Sequence, residues 1–184
     1  MVYLQSSAFR STDALLSKLR TRTAEELAKL SRSFLLILYI CFCIGSALLV
    51  RDALTSEEMD GFKLADFGVV SINLQYTINT GINFGLAGGG SNSRQILLAA
   101  IAIIVSIFIL LWGYRSRQKW SGFAAGLFAG GGLANAFERL AYGWVFDYLN
   151  FGMIFLDNPF SFNLADVYIF AGLILYISGP KPKQ

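Results

Sequence analysis

Four apolar stretches divide the chain, separated by connections that carry nearly all of its charge. Ser33–Val50 (SFLLILYICFCIGSALLV) holds no charged residue over 18 positions, close to the roughly 20 that cross a bilayer. It starts late, is long for the apolar part of a signal peptide and lacks a small-x-small cleavage site, so it predicts a first transmembrane helix. Gln95–Gly113 (QILLAAIAIIVSIFILLWG) predicts a second, with Trp112 and Tyr114 as interfacial anchors. Trp120–Phe137 predicts a third. Its Gly122, Gly126 and Gly130 recur every four residues, a spacing that lets helices approach closely. Leu164–Ser178 predicts a fourth, short enough that it tilts little or its flanking loop dips into the membrane.

The connections differ in pattern. Residues 1–33 are polar and basic. Thr12 or Asp13 is a candidate cap for a helix with Leu15, Leu16, Leu19, Leu27 and Leu30 on one side. This segment is either an amphipathic helix on the membrane surface or a partly disordered basic tail. In 67–86, FGVVSINLQYTINTGINFGL has short alternating runs of β-branched and aromatic residues followed by Asn and Gly. It predicts one or two strands and a turn, a β-rich lobe over about 66–92. Gly81, Gly85 and the glycines of GGGSNS (88–93) allow backbone angles other residues avoid. Residues 138–163 read as a connection, and 179–184 as a short tail.

Composition agrees with the pattern. Hydrophobic residues make up 55% of the 184 and charged residues 15%, against about 25% charged in a typical soluble domain. The expected fold class is therefore an all-α integral membrane protein, with four transmembrane helices and a small β-rich lobe at the outer surface. The net charge of +3 is too small to suggest nucleic acid. Its placement is more telling: residues 1–33 and the 115–119 loop each carry a net +3, the C-terminal tail adds Lys181 and Lys183, and the other two connections are each −2. The positive-inside rule then puts both termini in the cytoplasm. Asp147 and Asp166 fall together on the outer side.

The chain has no histidine, which excludes the usual Ser-His-Asp, Cys-His and His-ligated zinc chemistries. Cys41 and Cys43, two apart on a helix, point to different faces and read as small packing residues. The candidate chemistry lies in 130–166. Asp147 and Asp166 sit at the edges of apolar segments, where a carboxylate is costly and is a functional candidate. Two carboxylates held a few ångströms apart share a proton. One member can activate a water and the other can protonate a carbonyl, with no metal, cofactor or nucleophilic side chain. Asn135, Arg139 and Asn163 are close enough in sequence to hold a carboxylate or a substrate carbonyl. The plainer alternative makes Asp147 a solvated loop residue and Asp166 a helix N-cap. Glu138 and Arg139, adjacent on one helix, would pair with other segments, for example Arg139 with Asp52.

These residues resemble the bacterial lipoprotein signal peptidase, signal peptidase II. Asp52 and Thr55 match its Asp-x-x-Thr-Lys element, with Ser56 in place of the lysine. Asn79, Gly81 and Phe84 match Asn-x-Gly-x-x-Phe. Asn135, Arg139, Gly143, Val145 and Asp147 match its central block, with Ala134 for Gly and Glu138 for Asp. Phe162, Asn163, Ala165 and Asp166 match Phe-Asn-x-Ala-Asp. The resemblance covers about 34–178. It implies a peptidase domain over those residues, in the bacterial inner membrane, with Asp147 and Asp166 as the catalytic pair. Asp52, Asn79, Gly81, Asn135, Glu138, Arg139, Asn163 and Ala165 would support the pair or bind substrate. The implied substrate is a diacylglyceryl-modified prolipoprotein cut before its lipidated cysteine, and globomycin is an implied inhibitor. The expected state is a monomer among membrane lipids, without cofactor. The competing expectations are a non-catalytic binding or scaffold protein of the same fold, and a small transporter. The transporter is disfavoured because the acids cluster on one side.

Overall fold

A computed structural model describes the backbone of residues 2–55, 60–81, 91–116, 119–153 and 156–179. Side chains are described for 18–30, 33–55, 60–81, 92–116, 120–152 and 160–179. Ser56, Phe84, Gly85, the glycines at 88–90, Arg117, Lys181 and Lys183, together with the side chains of Lys119 and Asp157, lie outside the described residues. The elements are α1 (Val2–Leu54), β1 (Lys63–Asp66), β2 (Val70–Asn79), α2 (Ser91–Arg115), α3 (Lys119–Tyr142), β3 (Val145–Met153), β4 (Leu156–Phe162) and α4 (Leu164–Ser178).

The chain forms two compact units, Met1–Leu38 and Tyr39–Gln184. The first is helical from Val2, so Thr12 and Asp13 lie inside a helix rather than capping one, and that expectation is corrected. Leu19, Leu27 and Leu30 are all exposed there, and Lys29 pairs with Glu26 one turn away.

In the second unit α3 is the central helix. It is rich in Ala and Gly, and Ala124, Ala125, Ala129, Ala134 and Ala136 are buried. Three consecutive glycines, turned about 100° apart by the helix, face three different elements. A side chain at Gly130 would meet Cys43 of α1, at Gly131 the Ala165 carbonyl of α4, and at Gly132 the Ser106 hydroxyl of α2. Gly130, one of the glycines spaced every four residues, thus sits at a close helix contact, as in membrane bundles. Cys43 is buried and Cys41 exposed, as their different helix faces predict.

Lys18–Leu54 and Asn92–Arg115 are long and apolar enough to cross a membrane, and Leu164–Ser178 is a shorter apolar helix. α2 begins at Ser91, four residues before the apolar run, and so takes in the SNS of GGGSNS.

The strands form one antiparallel sheet in the order β1-β2-β3-β4. Of the half formed by β1 and β2, the expected lobe over 66–92 takes in β2 and only the last residue of β1. The other half, β3 and β4, comes from residues read as a connection. These segments mix aromatic, apolar and polar residues without strict alternation, because β3 is the partner of both β2 and β4. The sheet is therefore split in sequence, with α2 and α3 inserted between its two hairpins.

Candidate active site

The site lies where β2, β3, α3 and the start of α4 meet. β2 and β3 pair with Thr77 opposite Asp147 and Asn79 opposite Val145, so Asn79 is the diagonal neighbour of Asp147 on one face. Asn79 Nδ2 donates to Asp147 Oδ2 at 2.8 Å, and its Oδ1 accepts from the Gly81 N–H at 2.8 Å. That second bond aims the amide. It needs the chain to turn at Gly81, whose φ of 88° suits glycine.

Asp166 comes from the other side. Asn163 is the N-cap of α4 and Asp166 its N3 residue, joined in a reciprocal capping box. The N-cap is thus Asn163, which corrects the alternative that gave that place to Asp166. Asn135, on α3, donates from Nδ2 to Asp166 Oδ1 at 2.8 Å. Asn163 Nδ2 donates both to Asn135 Oδ1 at 3.0 Å and to Asp147 Oδ1 at 3.2 Å. A continuous amide relay therefore runs from Asp147 through Asn163 and Asn135 to Asp166. Asn163 is 2% exposed with both amide atoms bonded, so its orientation is determined by its partners.

The two carboxylates differ in environment. Asp147 is 3% exposed, whereas Asp166 is half-buried. Burial pushes the Asp147 carboxyl up to about 7; Asp166 and Glu138 push the same way, against the Asn79 hydrogen bond and the charge of Arg139. Arg139 donates from Nη1 to the Asn135 carbonyl at 3.4 Å. Its Nε is buried with no partner among the described residues. Among those residues no cluster of His, Cys, Asp and Glu could hold a metal.

Other predicted residues have different neighbours. Asp52 is exposed and pairs with Arg51 at 2.7 Å, which corrects the pairing of Asp52 with Arg139. Glu138 is 2% exposed; its Oε2 accepts from Arg51 Nε at 3.3 Å and from the Phe146 N–H at 2.9 Å. Ala165 packs with Ala47 and Ala134 in a core cluster between α1, α3 and α4. The methyl that Ala134 adds at a glycine position of the motif is thus accommodated beside Asn135.

Sequence reasoning missed Arg51 and Tyr148. Arg51 is 5% exposed, and its guanidinium carbon lies 3.8 Å from the Tyr142 ring centroid. A charge at the last turn of an apolar helix was its one signal. Tyr148 Oη accepts from the Leu164 N–H at 3.0 Å, a bond without any local mark in the sequence.

A family profile described as "Signal peptidase (SPase) II" matches residues 35–179. The chain belongs to the signal peptidase II family. This makes it a protease of lipoprotein processing. Among similar members, the lipoprotein signal peptidase of Rhodopseudomonas palustris (strain ATCC BAA-98 / CGA009) is 36% identical over 146 residues, which cover 73% of this chain and 88% of that one. The lipoprotein signal peptidase of Rhodopseudomonas palustris (strain TIE-1) is 35% identical over 121 residues, covering 62% and 74%. In fold the chain is similar to a bacterial membrane enzyme solved by the in meso method at 1.9 Å resolution. The TM-score is 0.62 at 23% identity, covering 77% of this chain and 89% of that one.

Proposed function

We propose that the chain is a membrane-embedded aspartic endopeptidase that removes signal peptides from diacylglyceryl-modified prolipoproteins, cutting before the lipidated cysteine. The observation that carries the reading is the amide relay: Asn163 bonds Asp147 and Asn135, and Asn135 bonds Asp166. Relatives named lipoprotein signal peptidase supply the substrate class.

In this reading Asp147, the buried member whose carboxyl is raised to about 7, holds the shared proton near neutral pH. Asp166, the more exposed of the two, likewise receives two N–H donors, from the Asn135 side chain and the Asn163 backbone, and acts as base. It takes a proton from water as the water oxygen attacks the scissile carbonyl, while Asp147 gives its proton to the carbonyl oxygen. As the tetrahedral species collapses and the C–N bond breaks, the proton on Asp166 passes to the leaving nitrogen and one gem-diol hydroxyl returns its proton to Asp147, which restores the starting state of the pair. Arg139 supplies positive charge beside the pair and limits the repulsion between two acids.

α1 to α4 are then four spans. Both termini lie in the cytoplasm, and the sheet with Asp147 and the start of α4 with Asp166 lie on the outer side, as the charge distribution favours. The protein would work as a monomer among membrane lipids.

The test is cleavage of a lipidated precursor by Asp147→Asn and Asp166→Asn. Both variants are expected to reach the membrane at normal levels and leave the precursor uncut. Normal processing by either one rejects the pair.

A further inference from the structure

We propose that Arg51 is a positioning residue for Asp147, acting through Glu138. The inference rests on the reading of Asp147 as catalytic. One oxygen, Glu138 Oε2, receives both the Arg51 guanidinium at 3.3 Å and the Phe146 backbone N–H at 2.9 Å. Phe146 directly precedes Asp147. The Val145–Phe146 peptide unit, one residue before the acid, is thus tied through one carboxylate to a cation on α1.

The surroundings hold this link rigid. Arg51 and Glu138 are 5% and 2% exposed. The guanidinium lies over the rings of Tyr142 and Trp144, at 3.8 and 5.3 Å from their centroids, and its Nη1 bonds Asp52 at 2.7 Å. Between α3 and β3 the chain turns at Gly143, with φ 79° and its N–H donating to the Arg139 carbonyl at 3.1 Å. Entry into β3 is therefore anchored at two points, Gly143 and Phe146. The second anchor depends on a buried carboxylate that stays in place only while a cation faces it, since an unpaired buried charge is expelled or neutralised.

One departure from the family pattern fits this link. Glu138 stands where the pattern has Asp. Arg51 lies in the last turn of α1, and the longer acid meets it.

The test uses the full-length protein in detergent micelles with a lipidated precursor. Arg51→Met alone strands a buried carboxylate, so the deciding variant is R51M/E138L, which replaces the whole pair by apolar side chains. Such replacements commonly keep or raise stability. If the pair were only structural, the folded double variant would cleave normally. Positioning predicts that kcat falls at least about tenfold while KM stays within about twofold, because the reacting group is misplaced. It also predicts that R51K, which keeps the cation, recovers part of the kcat lost in R51M. Wild-type kcat in the folded double variant overturns the proposal, and so does a loss seen only in KM. Asp147→Asn is assayed alongside. If that variant is inactive and R51M/E138L fully active, only the positioning role fails; if Asp147→Asn cleaves normally, the aspartic reading fails and this inference goes with it.

Discussion

Asn163 holds Asp166 twice: its backbone N–H donates to the carboxylate at 3.1 Å, and its side-chain oxygen accepts from the Asp166 N–H at 3.0 Å. The amide nitrogen of the same side chain reaches Asp147 at 3.2 Å. One residue therefore caps α4 and relates the two acids.

Asn163→Ala should separate these effects. Loss of the cap costs about 1 kcal/mol of stability. Loss of the relay should lower kcat by about 100-fold, the scale expected when a reacting group shifts by about 1 Å. Thermal unfolding and precursor cleavage measure the two. A variant with a lowered unfolding midpoint but near-normal kcat would show that the cap alone matters.

The raised Asp147 carboxyl predicts a pH dependence of stability. In the unfolded chain an Asp titrates near 3.9, and in the folded protein this one titrates at about 7. Between these values the native state binds more protons, so this group's contribution to stability is largest at acid pH and declines as pH rises towards 7. Unfolding midpoints across pH 4–8 should fall less steeply for Asp147→Asn than for the wild type. Parallel curves would contradict the assignment.

Catalysis should follow the same group. If Asp147 donates the proton, kcat declines as pH rises above about 7. A pH–rate profile of precursor cleavage measures this, and the limb belongs to the coupled pair rather than to one acid. A rate that keeps rising to pH 9 would exclude Asp147 as the acid.

Gly131→Ala puts a methyl against the Ala165 carbonyl and the Ile169 side chain. The carbonyl is backbone and cannot swing aside, so α4 must shift. Overpacking of this kind costs about 1–3 kcal/mol. Asp166 follows Ala165, so cleavage should fall together with the unfolding midpoint. An unchanged midpoint would mean that α3 and α4 are less closely packed here than described.

Tyr148→Phe leaves the Leu164 N–H without its acceptor at the first turn of α4. The expected cost is about 1–3 kcal/mol, with a smaller loss of activity than in Asn163→Ala, because the relay stays intact. Equal losses in the two variants would argue against the relay as the main link.

Some features were legible because they depend on neighbours in sequence. The apolar runs of α1, α2 and α4 follow from each residue's own preference for hydrocarbon over water. β2 was legible from its β-branched and aromatic pattern. The Asn79–Gly81 turn needs only a side chain, the N–H two residues on and a glycine that tolerates positive φ. The acids at the ends of apolar segments stood out for the same local reason, the cost of a charge there.

Other features have partners far along the chain. β3 read as a connection because a central strand takes its identity from partners on both sides, one of them beyond two helices, and β4 because it is the edge strand that pairs on β3. Arg51 finds Glu138 87 residues away, and Asn163 reaches Asn135 across 28; no local rule pairs them. From sequence alone came the apolar helices, the β2 strand, the family motifs and a short set of candidate acids and amides. Only the tertiary structure decided which amide faces which acid, that Asp52 serves Arg51, and that Glu138 ties α1 to β3. Hydrogen bonds of about 3 Å depend on how helices and strands pack against each other, and that packing is a property of the whole chain.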